Sequence, residues 1–363
     1  MKFALRGMGT SHPPYSFDQD NAVEAAQTIC CSTDQQRQWM NVVYRRSGID
    51  RRYSVLLDNG DPGIAGRQSF YPPRVTAEDK GPTTAQRMAR YETESPPLAV
   101  EAARRALCEA DCDPASLSHL VTVSCSGFAS PGYDFALIRE LGLSAGITRT
   151  NVGFMGCHGA LIGLRTAGAF ARAEPGSRVL MCAVELCTLH QQYGWDPQQI
   201  VAGGLFADGA AAVVGWVEPD DAAGWGVVRH GSVVLPNSEE CMGWRVGDTG
   251  FEMRLTPEVP DQVARHLGDW VKSWLAESGL SLADVKSWAV HPGGPRVLTA
   301  SAESLGLPTT ALATSHAVFR EYGNMSSPTI VFILERLKKE AAATPCVALA
   351  FGPGLSIEAA LIV

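Results

Sequence analysis

The sequence predicts an α/β fold built as two similar halves. Three observations carry that prediction. Short apolar, β-branched runs alternate with longer helical stretches along the chain, the pattern of strands linked by packed helices. Each half offers the same outline: a strand, a turn bearing a reactive residue type, and a helix. And 363 residues exceed one simple core, which points to two domains or one large fold made of two halves.

In order, Phe3, Leu5 and Met8 mark a first strand that runs into a loop at Thr10–Pro14. Asp18 to Gly48 reads as helical. Asp58 to Thr84, rich in Gly, Pro, Asp and Arg, reads as a long irregular excursion, and excursions of that length tend to be functional. A helix follows from Thr84 through Cys112. Leu120–Ser124 is a buried strand ending in the small-residue loop Cys125-Ser126-Gly127. A helix over Asp134–Leu141 and an extended run over Thr148–Val152 lead to an Ala/Gly-rich helix at 157–173. Arg178–Val184 and Ala210–Val217 are strands, the second after the turn Phe206-Ala207-Asp208-Gly209.

The Pro/Asp/Gly-rich stretch Glu218–Gly224 is the candidate boundary. It divides the chain into residues 1–220 and 221–363. The second half repeats the outline: strand Trp225–Val234, helix Val259–Gly279, strand Ser287–Val290, helix 295–305, helix Ser326–Ala342, and strands Cys346–Phe351 and Ser356–Ile362.

Composition narrows the class. The apolar share is 45%, the charged share 19% and the net charge −8, values of an ordinary globular domain. No Lys/Arg block stands out, which argues against a nucleic-acid partner. No apolar run reaches the roughly 18 residues of a membrane span. The first ten residues lack the apolar run of a signal peptide. The ten cysteines are scattered, without CxxC pairs or Cys/His zinc spacing. Reduced thiols in a cytoplasmic protein, with no bound metal, are the expectation.

Three residues carry the chemistry. Cys157, in Asn151-Val152-Gly153-Phe154-Met155-Gly156-Cys157-His158-Gly159-Ala160, follows a Gly turn and opens a helix of small residues. The positive end of a helix favours a thiolate there; the bland alternative is a packed, inert core Cys. His291, in Trp288-Ala289-Val290-His291-Pro292-Gly293-Gly294-Pro295, sits at the C-terminal tip of a strand, where α/β sheets build their sites. A structural turn His is its alternative. Asn324, in Glu321-Tyr322-Gly323-Asn324-Met325-Ser326-Ser327, reads on its own as a helix N-cap.

Taken together, Gly156-Cys157, His291-Pro292-Gly293-Gly294-Pro295, Tyr322-Gly323-Asn324-Met325-Ser326-Ser327, Phe206-Ala207-Asp208-Gly209-Ala210-Ala211-Ala212 and Phe351-Gly352-Pro353-Gly354-Leu355 resemble the type III polyketide synthases, the chalcone-synthase-like family of the thiolase superfamily. The resemblance covers nearly the whole chain. It implies a thiolase-like five-layer αβαβα fold of two duplicated halves, with the nucleophilic Cys157 in the first and His291 and Asn324 in the second. It also implies a homodimer and an acyltransferase of secondary metabolism.

The implied reaction is a decarboxylative Claisen condensation. Cys157 takes an acyl-CoA starter as a thioester, and His291 pairs with the thiolate. His291 and Asn324 offer donors to the malonyl-CoA carbonyl and to the enolate left by CO2 loss. Repeated extension and cyclisation give a pyrone or a phenolic or resorcinol product. No cofactor is implied beyond the coenzyme A thioesters themselves.

The resemblance also assigns pocket positions. Phe206 is a gatekeeper. The second gatekeeper position, usually Phe, falls on Met253, a flexible residue that suits a different or longer acyl chain; the neighbouring Phe251 is a substitute if the register differs. The plant enzymes' Thr-Ser pair appears as Cys125-Ser126, and two further Thr positions fall on Cys187 and His190. Cys125 is either a plain replacement for Thr or a second reactive thiol. Ser326 and Pro353 complete the pocket. Of the basic residues that hold CoA phosphates, one matches, Arg46, with Arg45, Arg51 and Arg52 nearby.

Two other readings stay open. One is a single-condensation ketoacyl synthase III-like enzyme that uses an acyl carrier protein. The other is a non-catalytic binding protein of thiolase fold. A carrier protein as starter donor also fits the main reading.

Overall fold

The computed structural model describes residues 1–60 and 67–363. The first half contains β1 (Lys2–Ser11), β2 (Ser16–Asp18), α1 (Gln19–Cys30), α2 (Asp34–Arg46), β3 (Arg51–Tyr53), α3 (Thr84–Glu109), β4 (His119–Ser124), α4 (Tyr133–Leu141), β5 (Thr148–Gly153), α5 (Gly159–Ala173), β6 (Val179–Leu186), α6 (Pro197–Leu205) and β7 (Asp208–Glu218). The second contains β8 (Gly226–Val234), β9 (Met242–Gly247), β10 (Gly250–Leu255), α7 (Val259–Ala276), β11 (Ser287–Val290), α8 (Pro295–Leu305), α9 (Ala313–Tyr322), α10 (Thr329–Lys339), β12 (Cys346–Gly352) and β13 (Ser356–Ile362).

Nine strands form one mixed sheet in the order β11-β12-β13-β8-β1-β7-β6-β4-β5. β1 pairs antiparallel with β7 of its own half and with β8 of the other, so the sheet is continuous across the predicted boundary. β4, β6 and β12 are buried along their whole length. That is why they read as unbroken apolar runs rather than as alternating ones.

Three cores account for five layers. In the central core α5 and α10 lie between the two halves of the sheet, with Leu161 and Leu164 of α5 beside Ile330 and Ile333 of α10. α3 and α4 cover the outer face of the first half through Leu98, Ala102 and Leu137. α7 and α8 cover the second through Val263, Leu267 and Leu298. α5 is rich in Ala and Gly because the sheet closes on it: a Cβ at Gly163 would stand 2.7 Å from Val123 of β4 and 3.1 Å from Met181 of β6.

Several boundaries differ from the sequence reading. The helical stretch 18–48 is two helices, because Thr33 caps α2 with a capping box to Gln36. The last helix begins at Thr329 and not at Ser326, because Ser326 holds a left-handed φ of 55°. The hairpin β9–β10 and the helices α6 and α9 had no periodic signal strong enough to announce them. Of the 58–84 excursion, residues 67–83 are irregular apart from turns, and 61–66 lie outside the described residues. Among the described residues no helix is long and apolar enough to cross a membrane.

Candidate active site

Cys157 owes its position to the turn before it. β5 ends at Gly153, and the chain reverses through Gly156, at φ 70°, into a single 3₁₀ turn, Gly156–His158, that runs on into α5. Gly156 is required twice over. An L side chain there is strained, and its Cβ would stand 2.6 Å from Pro353 Cδ. The macrodipole argument predicts a thiolate, but burial dominates. It pushes the Cys157 thiol up to about 11; the Ser326 hydroxyl and the Asn324 amide oppose the rise, and the Glu185 carboxylate adds to it.

His291 stands at the tip of β11, where its backbone N–H donates to Leu349 O at 2.8 Å. The ring is fully buried, and burial, aided by nearby His158, pushes its pKa down to about 3. Neither ring nitrogen has a hydrogen-bond partner among the described residues. Burial thus favours the neutral thiol and the neutral imidazole in the free protein.

Asn324 caps no helix. It lies between α9 and α10, and its backbone is stitched to the end of α6. Asn324 N–H donates to Leu205 O at 2.9 Å, and Ala207 N–H donates to Asn324 O at 2.9 Å, on either side of Phe206. Its side-chain Oδ1 accepts from Ser326 N–H at 2.8 Å. That bond fixes the amide and leaves the buried Nδ2 without a partner among the described residues.

These three residues line one cavity together with Phe206 and Met253. A second cavity shares Cys157, Phe206 and Met253 and adds Cys125, Cys187, Ser326 and Pro353. A larger one, about 870 Å³ with its mouth included, continues past Cys187, His190 and Trp244 to Ala26, Ile29 and Leu57. A fourth adjoins the Cys157 cavity along Leu255, Val259, Gly293 and Val297 and has Arg46 in its lining.

Two positions sit differently from the sequence reading, and Arg45 and Arg52 near Arg46 are otherwise engaged. Ser126 lines none of these cavities. Its hydroxyl donates to Glu185 Oε2 at 2.6 Å and accepts from Leu186 N–H at 2.8 Å, so it lies behind the wall. Phe251 does not substitute for a gatekeeper, because its ring stacks on His190 at 4.2 Å and Met253 faces the cavity instead. Arg52 is no phosphate ligand. It is buried, and its Nη1 donates to the carbonyls of Gly203 and Phe206 at 2.7 and 2.6 Å. Arg45, at the surface, pairs with Asp20 at 3.6 Å.

His190 is a wall residue with both nitrogens used, one contacting Ser126 O at 2.6 Å and the other accepting from Phe251 N–H at 3.0 Å. Burial pushes it down to about 3, so it is a neutral surface for substrate. Cys125 Sγ lies 3.3 Å from Ser326 Oγ. Burial and the Glu185 carboxylate hold its thiol well above the ordinary value, which favours the plain-replacement reading over a reactive thiol.

Two residues escaped sequence reasoning. Glu185 is fully buried under the site and accepts from the backbone N–H groups of Cys125 and Ser126 and from the hydroxyls of Ser126 and Ser327. One lone charge inside the apolar run Val184-Glu185-Leu186 was the available signal. Trp244, on β9, donates from Nε1 to Cys125 O at 2.7 Å and walls two of the cavities.

Comparison with known proteins covers nearly the whole chain. Residues 2–219 match the family model of the chalcone and stilbene synthase N-terminal domain, and residues 227–363 match that of the C-terminal domain. The alpha-pyrone synthesis polyketide synthase-like Pks18 of Mycobacterium tuberculosis is 32% identical over 98% of this chain and 90% of its own length. The 1,3,6,8-tetrahydroxynaphthalene synthase of Streptomyces peucetius is 32% identical over 99% and 92%. The crystal structure of PKS-I from the brown alga Ectocarpus siliculosus superposes with a TM-score of 0.92 at 30% identity, covering 99% of this chain and 98% of that one.

Proposed function

The chain belongs to the chalcone and stilbene synthase family, the type III polyketide synthases, and on that premise we propose that Cys157, His291 and Asn324 extend an acyl-CoA starter with malonyl-CoA. The observation that carries this reading is the single buried cavity where the three meet, with the two His291 ring nitrogens and the Asn324 amide N–H group still free to bond a ligand.

The proposed steps use those three residues in turn. His291 takes the Cys157 proton as the thiol attacks the starter thioester and returns it to the departing CoA sulfur, which gives an acylated Cys157, CoA thiol and a neutral His291. Malonyl-CoA then places its thioester carbonyl against the N–H groups of the Asn324 amide and of the neutral His291 ring. Loss of CO2 puts negative charge on that oxygen, where donors in a dry cavity act most strongly. The enolate carbon attacks the acyl carbon, the C–S bond to Cys157 breaks, and the chain leaves on CoA two carbons longer.

We take the starter to be an aliphatic acyl-CoA and the product a pyrone or a resorcinol-type phenol. The larger cavity supports this with apolar walls, Ala26, Ile29 and Leu57 beyond the Met253 opening. The printed name of the Mycobacterium relative, an alpha-pyrone synthesis protein, is in keeping with it. We also propose a homodimer. β5 is one of the two edges of the sheet, and exposed Phe128, Phe135, Phe154 and Met155 lie on or beside the segments next to it, a combination that asks to be covered.

Mass spectrometry of the protein with malonyl-CoA and a panel of acyl-CoAs, run beside Cys157→Ala, tests the reading. Products that grow by acetate units and vanish in the variant are expected. An acyl adduct on Cys157 without extension would favour a carrier-protein-dependent single condensation. Neither adduct nor product across the panel would reject the enzyme reading.

A further inference from the structure

Phe206 and Met253 each line the Cys157 cavity, the cavity of Cys125 and the larger one. They stand where the three meet. Backbone fixes Phe206: it follows α6 directly, and the bonds of Asn324 bracket it. Met253 has no such support from its own sheet. β10 belongs to a two-stranded hairpin and pairs with β9 along one side only.

The other side of β10 is stitched by side chains. Alternate residues of a strand turn their backbone groups to each side, and here side chains stand in for a third strand. Phe251 N–H donates to His190 Nδ1 at 3.0 Å, and Gln192 Nε2 donates to Phe251 O at 3.2 Å. Leu255 N–H donates to Gln198 Oε1 at 3.3 Å. Gln199 makes both bonds to one residue: its Oε1 accepts from Met253 N–H at 3.3 Å, and its Nε2 donates to Met253 O at 2.7 Å. A carboxamide carries the donor and acceptor of a peptide unit, so it closes on Met253 as a neighbouring strand would. These bonds reach the backbone and hold it whatever side chain the position carries.

Gln199 is itself held. It lies in the first turn of α6, where the Asp196 carboxylate accepts from its N–H at 3.1 Å and from that of Gln198 at 2.8 Å. Gln199, Ala202, Gly203 and Phe206 follow at helical spacing, and all line the larger cavity. One face of one helix therefore grips Met253 near its start and presents Phe206 at its end, about 10 Å further along the axis.

We propose that Gln199 is a positioning residue that sets the opening between Phe206 and Met253, and through it the acyl-chain lengths that the protein accepts. The inference rests on the reading that an aliphatic chain carried by Cys157 extends into the larger cavity. Nothing in Asp196-Pro197-Gln198-Gln199 signals this role, because the residue that Gln199 holds lies 54 positions on in sequence.

Competition between dodecanoyl-CoA and butanoyl-CoA for Cys157 tests it, read as the ratio of the two acyl adducts by intact-protein mass spectrometry. In the wild-type protein the long chain should lead; parity there overturns the proposal. Gln199→Leu keeps the bulk, drops both bonds and should lower the long-to-short ratio about tenfold, the worth of one or two hydrogen bonds. Gln199→Glu cannot donate to Met253 O when ionised and should lower it too. Gln192→Leu frees Thr249 O and Phe251 O at the turn end of the hairpin and should leave the ratio alone. General damage weakens both adducts together, so an unchanged ratio in Gln199→Leu overturns the proposal. An equal shift in Gln192→Leu also overturns it, because the effect then belongs to the whole hairpin. If wild-type Cys157 takes neither acyl group, the polyketide reading fails. Calorimetric titration with free dodecanoate then decides the role of Gln199 on its own: about tenfold weaker binding to Gln199→Leu supports it, and equal binding, or none to the wild-type protein, rejects it.

Discussion

Asn324 and His291 divide their labour by what each can exchange. A neutral imidazole next to a neutral thiol can move a proton, whereas the Asn324 amide can only donate a hydrogen bond. Acylation of Cys157 therefore needs His291, and decarboxylation needs both. In Asn324→Ala, product formation should fall by about 10²–10³, the usual worth of one donor to a developing oxyanion. Intact-protein mass spectrometry should still find the starter acyl group on Cys157. A variant that loses acylation and extension together would show that Asn324 acts on the nucleophile instead. The same reasoning explains why Cys125, although it shares a cavity with Cys157, is not expected to carry an acyl group: His291 lines the Cys157 cavity and not the one that Cys125 faces.

At the scale of elements, the turn Gly156–His158 and the loop Phe351-Gly352-Pro353-Gly354 form one unit. Gly156 abuts Pro353, and His158 Nε2 lies 2.7 Å from Ser356 Oγ just past the loop. Gly156→Ala should cost about 1–2 kcal/mol from the left-handed backbone alone, plus whatever Pro353 must yield. Thermal unfolding should show a modest loss, while the acylation rate drops much further, because Cys157 is displaced from His291. Equal losses would mean that the turn serves stability only. The glycine turn, the strand tip and the Asn-Met-Ser-Ser segment were legible because their backbone demands are written in residue types. The walls were legible only where the family resemblance marked them, as at Phe206, Met253 and Cys187. Trp244 comes from a hairpin of low periodicity inside the second half and was missed. Ser126 was placed on the wrong side of its strand end because its partner Glu185 lies 59 residues on in sequence.

For the whole molecule, acid sensitivity follows from the buried histidines. His158, His190, His230 and His291 are held at about 4, 3, 4 and 3, each chiefly by burial. Below the usual 6.5 the unfolded chain takes up protons that the folded chain refuses, so stability is intact above that value and declines as pH falls towards 4. Each such histidine contributes up to about 1.4 kcal/mol per pH unit. Burial raises Asp208 to about 6 and also lifts Glu185. These carboxyls bind protons more readily when folded, so they work in the opposite direction and offset part of the loss. Urea midpoints should fall from pH 7 to pH 5, and His230→Gln should fall less. An identical decline in that variant would place the acid sensitivity elsewhere. The stitch between Asn324 and the residues flanking Phe206 has a consequence for how such an enzyme can diversify. Gatekeeper and amide ride on one length of backbone, so a lineage cannot reshape that gate without disturbing the chemistry. Met253 and Cys187 carry no such tie, and inherited change in product should accumulate there first.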